Sequence, residues 1–418
     1  MNVPTVTVVL PTRERADVLL HSLRSLTRLD YPNLTILVVD NCSGDNTREV
    51  VQSVREPRIQ YINSGRRLSM SHNWEFALDN VKTEWVCIVG DDDSLLPDSV
   101  SIAMDLAKKL GVEAIRGNNC NYYWPDRGLD GGFGRLTVPL GRGYEIRSSS
   151  AWLSKINRGD SGSYDLPCIY TGGFVKMDVM RDIKKKSGAY FLSRIPDIYS
   201  GIAVSSVIEK FCYSFRPLGI AGSSKHSNGQ SQQVLSRSDV KDGDQRTLAA
   251  IEFNTEGEPI PYHSLIPLHD GNQIPPNGFV FALESYMQAA KLRVENDWCL
   301  QRHLALMLSM PDGNSLVEWG QKFAKIHNVS FEKARSSAKL FRARNSVRST
   351  AELAHSSFRA VRIGSQQESI ENVNDACAAA ASIIARPPGS LATGWQSLLM
   401  GLNFVVKKLR KRTHSIAK

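Results

Sequence analysis

Apolar and polar positions follow a repeating scheme over the first quarter of the chain. Short, mostly apolar runs extend from Val6 to Leu10, Leu34 to Val39, Ile59 to Ile62 and Trp85 to Val89. Predominantly apolar runs of this length read as strands buried on both faces of a parallel sheet. Between them apolar residues recur at helical spacing, as in Val18, Leu19, Leu23 and Leu26. Further helices are expected from Arg48, from about Met70 to Asn80 and from Asp98 to Leu110, with Pro97 in the first turn of the last. The pattern is β-α-β-α-β-α-β with short connections, and it predicts a doubly wound α/β sheet.

Each predicted strand ends in polar residues: Thr12 and Arg13, Asp40 and Asn41, Arg66 and Arg67, and then Asp91, Asp92 and Asp93. Ligands of open parallel sheets bind at the carboxyl ends of the strands, so these residues are candidates for one site. The Asp run follows directly on the apolar stretch from Trp85 and on Gly90. Three adjacent carboxylates repel one another, and a divalent cation relieves that repulsion. Mg²⁺ or Mn²⁺ accepts such hard oxygens and keeps positions open for phosphate. A solvated acidic turn is the alternative.

Beyond residue 110 the pattern is less regular. Glu113 to Arg147 is rich in aromatic residues and glycine, including Asn118, Asn119, Tyr122, Tyr123 and Trp124, a composition that ordinary strands also show. Cys168 to Val175 reads as a strand with a glycine kink, and helices are expected from Asp178 to Lys186 and from Ile198 to Ile208, the second opened by Asp197 as its cap. From about Ser236 to Gly278 the chain is polar and proline-rich, as in a linker or lid. From Phe279 on, helical patterns dominate until Pro387-Pro388-Gly389. A last helix, Leu391 to Leu409, has one apolar face and a basic end.

Three stretches carry a resemblance when read in order: Val-Val-Leu-Pro-Thr-Arg-Glu-Arg from Val8, Leu-Val-Val-Asp-Asn-Cys-Ser-Gly-Asp-Asn-Thr from Leu37, and Gly-Asp-Asp-Asp-Ser-Leu-Leu-Pro from Gly90. Together they resemble the family 2 glycosyltransferases of the GT-A fold, strongly over residues 4–110 and loosely to about residue 235. The resemblance implies a GT-A-type doubly wound mixed sheet in the N-terminal half, and the helical patterns from Phe279 on predict an all-α C-terminal module after it. Residues 1–110 would form the nucleotide-sugar half, 111–235 the acceptor half, 236–278 a linker or lid, and 279–418 a helical domain with a basic amphipathic tail.

The resemblance also implies roles. Pro11, Thr12, Arg13 and Glu14 would line the base and ribose, and Asp40 would accept a hydrogen bond from them, unless it only caps its turn. Arg67 would contact the diphosphate, whereas Arg66 reads as a solvated residue. Asp92 would be the principal metal ligand, with Asp91 and Asp93 beside it, and His226 a late ligand or a surface histidine. Asp197, in a Pro-Asp pair, would be the general base. The implied reaction is inverting transfer from a nucleoside-diphosphate sugar, uridine-linked, with Mg²⁺ or Mn²⁺, to a carbohydrate or lipid-linked acceptor hydroxyl. A nucleotide-sugar-binding scaffold without catalysis is the rival. A dehydrogenase is disfavoured, because no Gly-x-Gly-x-x-Gly follows the first strand.

Composition changes this picture in two respects. Seven cysteines, odd in number and scattered, argue for reduced thiols in a cytoplasm rather than a disulfide framework. The net charge of +9 is localised: from Phe331 onward there are 15 Lys/Arg against 5 Asp/Glu, and before it 36 against 37. A basic amphipathic helix suits an anionic membrane surface at the inner face of a membrane, or else packs on the domain. No nucleic-acid partner is expected, since no binding module is recognisable.

Overall fold

The computed structural model describes residues 3–125, 134–227, 257–268, 274–275, 277–293, 298–310, 316–343, 359–364 and 370–387. The four predicted strands form β1 (Val6–Thr12), β2 (Leu34–Asp40), β3 (Ile59–Asn63) and β4 (Trp85–Ile88), which run parallel in the order β3-β2-β1-β4. Helices α1 (Ala16–Leu26), α2 (Thr47–Ser53) and α3 (Met70–Asp79) make the crossovers. The residues at helical spacing on α1, Val18, Leu19, Leu23 and Leu26, are all buried, together with Ala16, Ser22 and Ser25.

After β4 the chain differs from expectation in detail. A two-residue strand, β5 (Ser94–Leu95), precedes α4 (Ser99–Leu110), and Asp98 is the N-cap, so Pro97 stands before the helix and not in its first turn. The sheet is then completed as a mixed one. β6 (Ala114–Tyr123) pairs antiparallel with β7 (Arg135–Pro139), and β8 (Tyr144–Ser148) leads into α5 (Ser149–Arg158). β9 (Gly173–Lys176) lies antiparallel between β4 and β6 and is followed by α6 (Met177–Ser187) and α7 (Pro196–Val207). β10 (Lys210–Ser223) runs parallel to β6 and antiparallel to β5 and β8. Its register shifts between Ser214 and Gly219, around Pro217, a residue that cannot donate to the ladder.

Both sheet faces are covered. One packs on α1 and α4 through Leu19, Leu23, Val100 and Met104, the other on α3, α6 and α7 through Trp74, Met180 and Ile202. The result is a doubly wound mixed sheet.

The C-terminal region is mainly helical: α8 (Gly278–Gln288), α9 (Leu300–Ser309), α10 (Val317–Ile326), a helix α11 over residues 331–343, and α12 (Val373–Ala385). It also contributes β11 (Ala360–Ile363), which adds antiparallel to β7 at the sheet edge. α12 covers the same end of the sheet through Val373, Ala376, Cys377 and Ala380. α8 packs on α7, where the fully buried Glu284 accepts hydrogen bonds from Ser193 Oγ (2.5 Å) and Gln288 Nε2 (2.9 Å). None of the seven cysteines is paired. No helix among the described residues is long and apolar enough to cross a membrane. The predicted tail helix and most of the predicted linker lie outside the described residues.

Candidate functional site

The carboxyl ends of β1 and β4 open into a cleft of about 980 Å³. Of the sequence candidates, Pro11, Thr12, Arg13 and Glu14 line it, and so do Asp91, Asp92, Asp93, Asp197 and His226. Chain segments as distant as β1 and α7 therefore meet at one place, which periodicity alone does not reveal.

The three aspartates are held differently. Asp91 accepts from Thr12 Oγ1 (2.9 Å) and pairs with Arg15 (3.0 Å). Burial raises its carboxyl above the usual range, and the Arg15 guanidinium opposes that shift. Asp92 receives Ser224 Oγ (2.8 Å), Ser224 N (3.2 Å) and Ser227 Oγ (2.5 Å), all on Oδ2. Asp93 accepts from Thr171 Oγ1 and from Gly222 N, both at 2.7 Å. Burial and the neighbouring Asp92 push its carboxyl up to about 7. Asp92 thus keeps Oδ1 unengaged among the described residues, while Asp93 has both oxygens occupied by the fold. Arg15, Thr171, Ser224 and Ser227 were not singled out in the sequence. They are ordinary residue types, and only the fold brings them to the aspartates.

Among the described residues no three His, Cys, Asp or Glu side chains gather into a closed metal cage. His226 lines the cleft with its Nε2 3.0 Å from Asp17 Oδ2, and Lys225 reaches the same carboxylate at 3.1 Å. One cleft-facing carboxylate with further ligands left to substrate phosphate is the usual arrangement for Mg²⁺, so the donor set fits.

Other predicted residues fall outside the cleft lining. Asp40 is buried at the end of β2, where it accepts from Tyr61 Oη (2.6 Å), Asn63 Nδ2 (3.0 Å) and Ser43 N (2.9 Å). It closes its own turn, the alternative held open for it, and its neighbour Asn41 lines the cleft instead. Arg67 pairs with Glu14, whose carboxylate also caps the Gly44 and Asp45 amides at 2.8 and 3.0 Å. Arg66 forms an exposed pair with Glu258 at 2.8 Å.

Across the cleft, α7 begins with Pro196 and has Ile195 as its N-cap, so Asp197 lies in the first turn and is not the cap. Its Oδ2 accepts from Tyr164 Oη at 2.5 Å, and its Oδ1 is buried without a partner among the described residues. Burial raises the Asp197 carboxyl, and the Tyr164 hydrogen bond opposes that rise. A carboxylate in a cleft with one oxygen uncommitted can accept a proton from a substrate hydroxyl. From β6, Asn118, Asn119, Asn121 and Tyr123 also line the cleft, so the stretch that read as ordinary strand carries polar groups into it.

Residues 7–130 match the family described as glycosyl transferase family 2. Among curated proteins, the chain is 32% identical over 118 residues to the GalNAc(5)-diNAcBac-PP-undecaprenol beta-1,3-glucosyltransferase of Campylobacter jejuni, covering 28% of this chain and 38% of that protein. It is 24% identical over 111 residues to the succinoglycan biosynthesis protein ExoO of Rhizobium meliloti, covering 27% of this chain and 32% of that protein. The matches therefore span well under half the length of these relatives. Among solved structures, S. aureus TarS 1-349 in complex with UDP aligns with a TM-score of 0.46 and 15% identity, over 81% of this chain and 91% of that one. The residues that match this family, 7–130, supply β1, β4 and the three aspartates of the cleft.

Proposed function

We propose that the chain transfers a sugar from a nucleoside-diphosphate donor, uridine-linked, to an acceptor hydroxyl, with inversion at the anomeric carbon. The observation that carries this reading is the sharing of one cleft by the aspartates after β4 and by Asp197 of α7. Pro11, Thr12, Arg13 and Glu14 at the end of β1 border the base and ribose. Asp40 acts from beneath, fixing Asn63 and the turn at Ser43. Arg67 reaches the diphosphate side only if it leaves Glu14.

Asp92 would hold Mg²⁺ or Mn²⁺, with Asp91, Asp93 and His226 around it; when bound, the ion neutralises charge on the departing diphosphate. Asp91 and Asp93 keep the turn in place through Thr12, Arg15 and Thr171. Asp197 takes the proton of the attacking hydroxyl. Its burial keeps it closer to the working pH than an ordinary aspartate, which favours proton transfer. The name of the Campylobacter relative includes an undecaprenol-linked acceptor, which supports a lipid-linked acceptor here and a place at the inner face of a membrane.

A thermal-shift screen of nucleoside-diphosphate sugars with and without Mn²⁺ tests the proposal. The expected result is a Mn²⁺-dependent rise in melting temperature with one donor, followed by transfer of its sugar. Stabilisation without any hydrolysis or transfer would favour the non-catalytic scaffold, and no stabilisation by any donor would remove the reading altogether.

A further inference from the structure

Tyr164 stands between the cleft and Asp197, and nothing in its sequence neighbourhood marks it. Its residue is 48% exposed and lines the cleft, yet its hydroxyl meets Asp197 Oδ2 at 2.5 Å. Two buried arginines hold the loop that carries it. Arg116 of β6 donates from Nε to the Tyr164 carbonyl at 2.9 Å. Arg147 of β8 donates from Nη1 to the Asp165 carbonyl at 2.9 Å. Each of these arginines is only 5% exposed, and Arg147 is stacked between Trp152 and Tyr213, with its guanidinium 3.5 Å from each ring centre. Burying a guanidinium is costly unless its donors are satisfied. Here two are satisfied by the carbonyls of consecutive residues, which fixes the loop where the phenol meets the carboxylate.

We propose that Tyr164 is a positioning residue for Asp197: its hydroxyl holds Oδ2 and so fixes the carboxylate for the acceptor hydroxyl. This inference rests on the reading of Asp197 as the base. The phenol is a lasting donor, because burial and the adjacent Asp197 raise it well above the ordinary tyrosine range. A hydrogen bond to the charged form favours that form, so the contact opposes the desolvation of Asp197. The other groups facing Asp197 are Arg116 from β6, and Cys168 and Tyr170 from the segment before β9. Arg116 works in the same direction as Tyr164, but its guanidinium donates to the backbone carbonyls of Tyr164, Tyr170 and Thr171 rather than to the carboxylate.

The test needs no substrate. The full chain is labelled with [γ-¹³C]aspartate, the Asp197 resonance is assigned by its loss in Asp197→Asn, and its titration midpoint is followed by NMR. Tyr164→Phe keeps the ring and removes the donor, and its midpoint should rise by about half a pH unit or more, about threefold in the ionisation constant. Site-specific 3,5-difluorotyrosine at position 164, a stronger donor of nearly the same shape, should lower the midpoint, and this arm stands even if Tyr164→Phe does not fold. Unchanged midpoints would overturn the inference and leave the base reading intact. The base reading fails separately, if Asp197→Asn transfers sugar at the wild-type rate from the donor that stabilises the chain.

Discussion

Asp92 and Asp93 are neighbours with opposite commitments. Thr171 and the Gly222 amide take both oxygens of Asp93, whereas the hydrogen bonds to Asp92 fall on Oδ2 and leave Oδ1 to the cleft. Asp92→Asn should therefore fold and melt near the wild type, but lose Mn²⁺-dependent nucleoside-diphosphate binding. Changing residues that only support a ligand costs about 10–100-fold in metal affinity, so calorimetry should find a loss at or above the top of that range. An unchanged Mn²⁺ dependence would assign the ion elsewhere. For Asp197→Asn the expectation differs: donor affinity stays, and transfer falls by about 10²-fold or more, as for loss of a general base. Because burial raises the folded pKa of Asp197, the wild-type transfer rate should fall with decreasing pH above the ordinary aspartate range. Loss of nucleotide affinity alone in this variant would place Asp197 in the donor site instead.

At the scale of elements, the site depends on how closely β10 approaches the turn after β4. A Cβ on Gly222 would lie 1.8 Å from the Asp92 carbonyl oxygen and 3.1 Å from Trp124 Nε1. Both are held: Trp124 Nε1 donates to that carbonyl at 3.1 Å, and the Gly222 amide donates to Asp93. Gly222→Ala should push β10 away from the turn. Overpacking of this kind costs about 1–3 kcal/mol, to be read by denaturant unfolding. Nucleotide binding should suffer more than stability does, because Ser224 and Ser227 follow directly after this strand and hold Asp92. Full retention of binding would mean that β10 only covers the site.

At the scale of the whole molecule, the helical region behind α7 makes its own demand on pH. His303 on α9 is fully buried, its Nε2 lies 2.5 Å from the Phe279 carbonyl, and Nδ1 has no partner among the described residues. Burial lowers its pKa from 6.5 to about 4. The folded state then binds fewer protons than the unfolded one, so His303 removes stability as pH falls below 6.5, and the loss is complete near pH 4. A shift of this size corresponds to about 3 kcal/mol. Buried carboxyls such as Glu75, raised to about 7 by desolvation, act in the opposite sense. The informative quantity is therefore the difference between wild type and His303→Gln in unfolding free energy across this range. The wild type should lose stability relative to the variant as pH falls. A constant difference would show that His303 can charge without cost in the fold.

The local pattern of the sequence determined the parallel part of the sheet. Continuous apolar runs at β1, β2 and β4 and the helical spacing of α1 are short-range properties, and the chain adopts them as read. It also placed Pro11 to Glu14 and the three aspartates at the strand ends, because a parallel sheet brings those ends to one side. Only the tertiary structure decided which aspartate is left to the cleft, since that depends on Ser224, Ser227 and Thr171, residues 78 or more positions away. The same holds for Asp40, which read first as a nucleoside ligand with a turn cap as the alternative, and whose Oδ2 is taken by Tyr61 and Asn63. Tyr164 is the extreme case: a lone aromatic in a polar loop becomes a partner of Asp197 through two arginines from other strands. β11 likewise escaped the helical reading of the C-terminal region, because an edge strand of four residues gains its stability from β7 rather than from its own sequence.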